Sequence, residues 1–281
     1  MKLAVGTVQF GIRYGINNSE GIPGDDEIHN IFTVAANAGI RMIDTALGYG
    51  NSEERVAPFA DRFNIVTKFS GVKTGEELLQ QFETSCTHLG VSEIYGYMAH
   101  NADSLIENPQ LWRTLLKLKE GSRVQRIGYS LYTPAQLEKL LELQLVPNLV
   151  QIPYSLLDRK FEPYLVLLKE LGTEIHVRSV FLQGLYFMDP LELPEKLISL
   201  QPILLILHKL CLERNISIGA LAINFIAENP LVDYLVIGIE KAAQLGQNIK
   251  QVEEWKTAAN VFDAVRSLDT VHKELLNPTN W

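Results

Sequence analysis

The 281-residue sequence predicts an α/β fold, a closed parallel (β/α)8 TIM barrel with its helices outside, spanning residues 1–281 as one domain. Three observations carry this. Short apolar runs at residues 3–7, 40–44, 64–68, 94–100, 126–130, 149–151, 174–179 and 234–238 are mostly rich in Val, Ile and Tyr. They lack strict polar alternation, as strands buried on both faces do. An amphipathic stretch follows nearly every run, and eight such units in this length match a closed barrel. An open doubly wound sheet would want a Gly-rich phosphate turn after an early strand, and neither GxGxxG nor a Walker-type phosphate loop occurs.

The helices have readable ends. Residues 26–37 place Ile28, Ile31, Phe32, Ala35 and Ala36 on one stripe, and Gly39 stops them. Thr74 with Glu77 has the form of a capping box, opening a helix through Leu78, Phe82, Cys86 and Leu89 to Gly90. Thr133 is an N-cap with Pro134 at the first helical position, ahead of Leu137, Leu140 and Leu141. Residues 161–171 form a helix that ends at Gly172. The longest interval between strands, 181–232, holds a Pro-containing loop at 189–194 and helices at 202–215 and 219–228. A charged helix over 252–268 should cover the barrel wall.

A hydrophobic content of 47% with 21% charged residues describes a soluble globular chain with a sizeable core. The net charge of −8 and the lack of any long Lys/Arg run argue against nucleic acid or an anionic membrane as partner. The apolar start of the chain is too short for a signal peptide, and no run approaches a membrane span, so a cytoplasmic location is expected. Cys86 and Cys211 lack metal-type or CxxC spacing and read as buried thiols. His29, His88, His176, His208 and His272 show no ligand pairing, so no metal is expected.

In a barrel, reactive groups sit where strands end and βα loops begin. Those ends give Asp44, Lys68 and His100 in turn, with Tyr49 in the loop after Asp44. A carboxylate and an ammonium at neighbouring strand ends should pair, because either alone is costly to desolvate. A phenol beside that ammonium is expected to titrate below its usual ~10 and to reach a proton-transferring role. Histidine at the next strand end can hydrogen-bond the oxygen that receives the proton. Taken singly, each residue also has a bland reading: a structural ion pair for Asp44 with Lys68, a turn aromatic for Tyr49, a satisfied strand-end histidine for His100.

Together they are more specific. Gly39 to Ala46 (GIRMIDTA), followed by Gly48 to Glu53 (GYGNSE), resembles the aldo-keto reductase signature around its catalytic aspartate and tyrosine. Val66-Thr67-Lys68 and Ala99-His100-Asn101-Ala102-Asp103 are similar to that family's lysine and histidine segments, in the same order. The resemblance reaches from Gly6-Thr7 to about Asn248. It implies Asp44, Tyr49, Lys68 and His100 as the catalytic set and a nicotinamide cofactor, NADP with NAD as the other choice.

For the cofactor it implies Thr7 in the first βα turn and Ser130 and Gln151 as partners of the nicotinamide carboxamide. Arg178 stands where the family usually stacks an aromatic residue on the nicotinamide; a guanidinium plane can also stack there. Its charge would disfavour the oxidised, cationic ring. Ser179, Phe181, Gln183 and Gly184 occupy the following cofactor segment. Gly238, Lys241, Gln244, Gln247 and Asn248 match the adenosine-phosphate segment, opening a helix whose N-terminus can receive phosphate oxygens. Gln244 stands where many NADP-using relatives have arginine, and Lys241 is the substitute cation.

Phe10, Tyr14, Asn101, Tyr132 and Tyr154 follow strand ends and are expected to wall the substrate pocket. A barrel-closing hairpin found in many relatives is expected to be absent or minimal. The implied activity is reduction of an aldehyde or ketone, sugar-derived ones included, to an alcohol. The implied partner is a small-molecule carbonyl compound, and the chain is expected to be a monomer or weak homo-oligomer. Two other readings stay open: a cofactor-binding regulatory subunit with little turnover, and a barrel lyase or isomerase that uses no nicotinamide.

Overall fold

The computed structural model describes residues 1–16, 18, 20–256, 259–269 and 272–281. Eight parallel strands close into a barrel in sequence order: β1 (Leu3–Gly6), β2 (Met42–Asp44), β3 (Asn64–Phe69), β4 (Ile94–Ala99), β5 (Val124–Ser130), β6 (Leu149–Pro153), β7 (Glu174–Arg178) and β8 (Tyr234–Gly238). Closure is made by β8 on β1, with Leu3 opposite Leu235 and Gly6 opposite Gly238. The runs read from sequence locate every strand, with ends that differ by a few residues.

Two hydrophobic cores follow from the period of two along each strand. Ala4, Met42, Val66, Met98, Leu149 and Val236 point inward and fill the barrel. Outward residues such as Val5, Ile43, Ile65 and Tyr97 join the larger core beneath the helices. Gly128 is required where β5 meets β6, because a Cβ there would lie 1.6 Å from the Leu149 carbonyl oxygen.

The floor of the barrel is polar. Glu174, at the start of β7, accepts from Tyr95 Oη (2.7 Å) and contacts His176 Nε2 (2.8 Å) and Arg126 Nε (3.1 Å). Tyr234 packs against the His176 ring with centroids 4.9 Å apart.

Helix ends follow the expected chemistry. Thr74 Oγ1 accepts from Glu77 N, and the Glu77 carboxylate accepts from Thr74 N, opening the helix Gly75–Leu89. Thr133 and Gln136 do the same for Pro134–Glu142. The predicted helix over 161–171 is a 3-10 turn, Glu162–Tyr164, running into Leu165–Glu170, because Pro163 interrupts the first turn. The expected single helix over 252–268 is not continuous: one helix, Ala242–Glu253, ends inside it and another, Ala259–Arg266, follows. Residues 257 and 258 of that stretch lie outside the described residues. Cys86 and Cys211 are buried free thiols. Among the described residues, no single helix is long and apolar enough to cross a membrane.

Candidate active site

The inward row that fills the barrel continues to its C-terminal rim. Asp44 lies two residues beyond Met42, Lys68 beyond Val66, His100 beyond Met98, and Gln151 beyond Leu149, so all four share the interior face. The same parity brings Ser130, Arg178 and Gly238 inward. Asp44, His100, Ser130, Gln151, Arg178 and Gly238 line one cavity of about 770 Å³, together with Tyr49. Lys68 lies beneath it, fully buried.

The ammonium of Lys68 has three protons to give, and three acceptors take them. Its Nζ donates to both Asp44 oxygens (2.7 Å each) and to the Thr45 carbonyl (2.8 Å). Gln151 Nε2 donates to Asp44 Oδ1 at 2.7 Å. The Lys68 ammonium lies 5.4 Å from the centre of the Tyr49 ring, and His100 meets that ring edge-on, with centroids 5.4 Å apart.

The titration behaviour departs from one sequence expectation. Burial, reinforced by the Asp44 carboxylate, pushes the Tyr49 phenol well above its ordinary value; Arg178 opposes this weakly. Lys68 does not pull it down. Desolvation decides the sign, and the Asp44 carboxylate adds to it. Burial also holds Lys68 below its ordinary value against the pull of Asp44. His100 is lowered to about 4, first by burial and then by the Lys68 charge, so its ring is neutral near pH 7.

Close backbone contact fixes Tyr49. A Cβ on Gly11 would fall 1.7 Å from the Tyr49 carbonyl oxygen, and one on Gly50 (φ 60°) would lie 2.5 Å from the Gly11 oxygen. The Ser52 hydroxyl ties this loop to the first strand, donating to the Thr7 carbonyl (2.9 Å). Thr7 lines the cavity, and its own hydroxyl donates to the Asp44 carbonyl at 3.1 Å.

Other expected cofactor residues also reach the cavity. Ser179, Phe181, Gln183 and Gly184 line it from the loop after β7, and Gln244, Gln247 and Asn248 from the helix after β8. Ser179, Leu182 and Gln183 hold positive φ (62°, 45° and 54°), a costly conformation for residues other than glycine and typical of ligand-clamping segments. Gln183 Nε2 donates to Tyr14 Oη at 2.8 Å, joining that loop to the one after β1. The Arg178 guanidinium stacks 4.4 Å over the Tyr132 ring and donates to the Leu131 carbonyl (3.1 Å). Among the described residues it forms no ion pair.

Four expectations are corrected. Lys241 is not at the cavity wall; its ammonium is paired with Glu20. Phe10 is fully buried, edge-on to Phe32 in the outer core, because its helical turn faces away from the barrel mouth. Tyr154 falls on outward parity, three residues past inward Gln151; it packs on Phe225, and its hydroxyl donates to Glu162. Asn101 is exposed, with Oδ1 accepting from Asp103 N at 3.0 Å. Tyr14 and Tyr132 do line the cavity.

Several lining residues escaped the sequence reading, Gln9, Gln251 and Glu240 among them. Gln9 and Gln251 each carry a buried side-chain oxygen without a hydrogen-bond partner, and Glu240 joins them at the wall. Gln251 had a signal: Gln244, Gln247, Asn248 and Gln251 repeat at helical spacing and form one amide stripe.

A closed parallel barrel with a paired aspartate and lysine beneath a tyrosine and histidine at its C-terminal rim defines a class of barrel catalysts. The aldo/keto reductase family model matches residues 2–270, and the chain belongs to that family. It is 30% identical over 156 residues to the uncharacterized oxidoreductase ZK1290.5 of Caenorhabditis elegans, covering 50% of this chain and 47% of that protein. It is also 30% identical over 139 residues to an aldo-keto reductase of Mycobacterium sp. (strain JLS), covering 45% and 49%. The matched stretch thus spans about half the length of these curated relatives. Among solved structures, aldo-keto reductase AKR11C1 from Bacillus halodurans superposes with a TM-score of 0.79 at 18% identity, covering 97% of this chain and 94% of that one. The glycerol dehydrogenase AKR11B4 of Gluconobacter oxydans gives 0.75 at 22% identity, covering 94% and 90%.

Proposed function

We propose that this protein is an oxidoreductase that reduces an aldehyde or ketone to an alcohol with a nicotinamide cofactor. One observation carries the reading most: Tyr49 lines a cavity shared with His100, above the buried Asp44–Lys68 pair. Family membership supports it.

The residues present suit a nicotinamide cofactor. The cavity is of the size such ligands need. The unpartnered oxygens of Gln9 and Gln251 want donors, and Gly238 is hemmed in, since a Cβ there would lie 2.4 Å from Gln9 Nε2. Ser130 and Gln151 would hold the carboxamide; with its nitrogen on Asp44, Gln151 offers its carbonyl oxygen. When bound, the reduced nicotinamide supplies hydride to the carbonyl carbon.

Tyr49 gives its proton to the carbonyl oxygen as that oxygen gains electrons. Its raised value keeps the proton in place until then. Neutral His100 can donate one N–H to the same oxygen and orient it. Asp44 holds the Lys68 ammonium beneath the ring, and Gln151 in turn holds Asp44. Tyr49→Phe is expected to lower kcat for a responsive aldehyde by about 10²–10⁴-fold while calorimetric cofactor affinity stays within about threefold. Unchanged turnover in that variant would remove Tyr49 as the acid.

A further inference from the structure

The part of the cavity built by residues 238–251 carries the wrong charge for a second phosphate. We propose that it selects the cofactor lacking a 2′-phosphate, NAD(H), with Glu240 accepting from the adenosine ribose hydroxyls. This rests on the reductase reading above.

A helix N-terminus binds a phosphate through free N–H groups and a nearby cation. Here three N–H groups at the helix start are already occupied. Ala242 N donates to the Glu27 carboxylate at 2.6 Å, reaching across from the helix Asp25–Asn37. Glu240 N and Lys241 N both donate to Gln244 Oε1, at 2.9 and 3.1 Å. The ammonium of Lys241 is paired with Glu20.

What remains at the wall is an acceptor. Glu240 lines the cavity, while Gln244, beside it, is neutral. Three carboxylates, Glu20, Glu27 and Glu240, therefore face one ammonium, that of Lys241. Among the described residues, Arg178 is the one cationic group lining the cavity, and it is held over Tyr132 on the β5–β7 side. A dianionic phosphate entering this corner would have to displace Glu27 or Glu20 from its donor and sit against Glu240. A ribose diol carries O–H donors, and a carboxylate is the complement that NAD-selective sites use.

The test is isothermal titration calorimetry of the purified full chain with NADH and with NADPH at one ionic strength. NADH is expected to bind at least about tenfold more tightly, since like charges placed together cost several-fold steps in affinity. Glu240→Gln should weaken NADH and narrow the gap, and Glu240→Arg should reverse the preference. NADPH binding as tightly as NADH, or more so, would overturn this inference and leave the reductase reading standing. Binding of neither would overturn both. An unchanged ratio in Glu240→Gln and Glu240→Arg would remove Glu240 from the selection.

Discussion

At the scale of single residues, burial sets the chemistry of Tyr49 and His100 in opposite directions. It raises the phenol and lowers the imidazole to about 4, so near neutrality one holds its proton and the other is uncharged. For reduction, kcat/KM is expected to stay level from alkaline pH down to about 5 and to fall as His100 is protonated near 4. An acid limb centred near 6.5, the ordinary histidine value, would contradict that picture. Oxidation of the alcohol product needs the phenolate and should accelerate with rising pH throughout. The same shift touches stability. The folded value of His100 lies below its unfolded value, so the unfolded chain takes up the proton first, and stability declines as pH falls from 6.5 toward 4. The placement of Asp44, Lys68 and His100 was legible because each closes an apolar run at a strand end. Phe10 and Tyr154 were misplaced because a residue's position after a strand does not reveal which face it occupies.

At the scale of elements, helix starts and strand runs were legible because their signals are local. A capping box needs only four residues, and strand burial shows as an unbroken apolar run. The support for Tyr49 is different. Gly11 ends the helical turn after β1 and Gly50 lies in the loop after β2, and nothing local in either shows that their backbones touch. Gly11→Ala is expected to push the Tyr49 loop outward, lowering kcat by about tenfold or more as the acid moves off line. Circular dichroism should show the fold retained. Native activity in Gly11→Ala would show that the loop tolerates the displacement.

For the whole molecule, the two ends of the barrel do different work. The rim gathers the reactive groups, and the floor is sealed by Glu174 with Tyr95, Arg126 and His176. Burial would raise the Glu174 carboxyl, yet its partners hold it below the usual range. Glu174→Ala leaves those partners without their acceptor and should cost about 2–4 kcal/mol in urea unfolding, with kcat unchanged. A loss under about 0.5 kcal/mol would mean that water replaces the carboxylate freely.

The sequence alone determined the eight-strand alternation and the identity of the groups at the rim, because strand period and chain order are local and carry through to the barrel. Only the tertiary structure decided which of those groups are free to act. Lys68 has its three protons engaged, Ala242 N is capped by a carboxylate 215 positions away, and Lys241 is neutralised by one 221 positions away. Charge compensation acts through space, and the folded barrel brings those distant partners together.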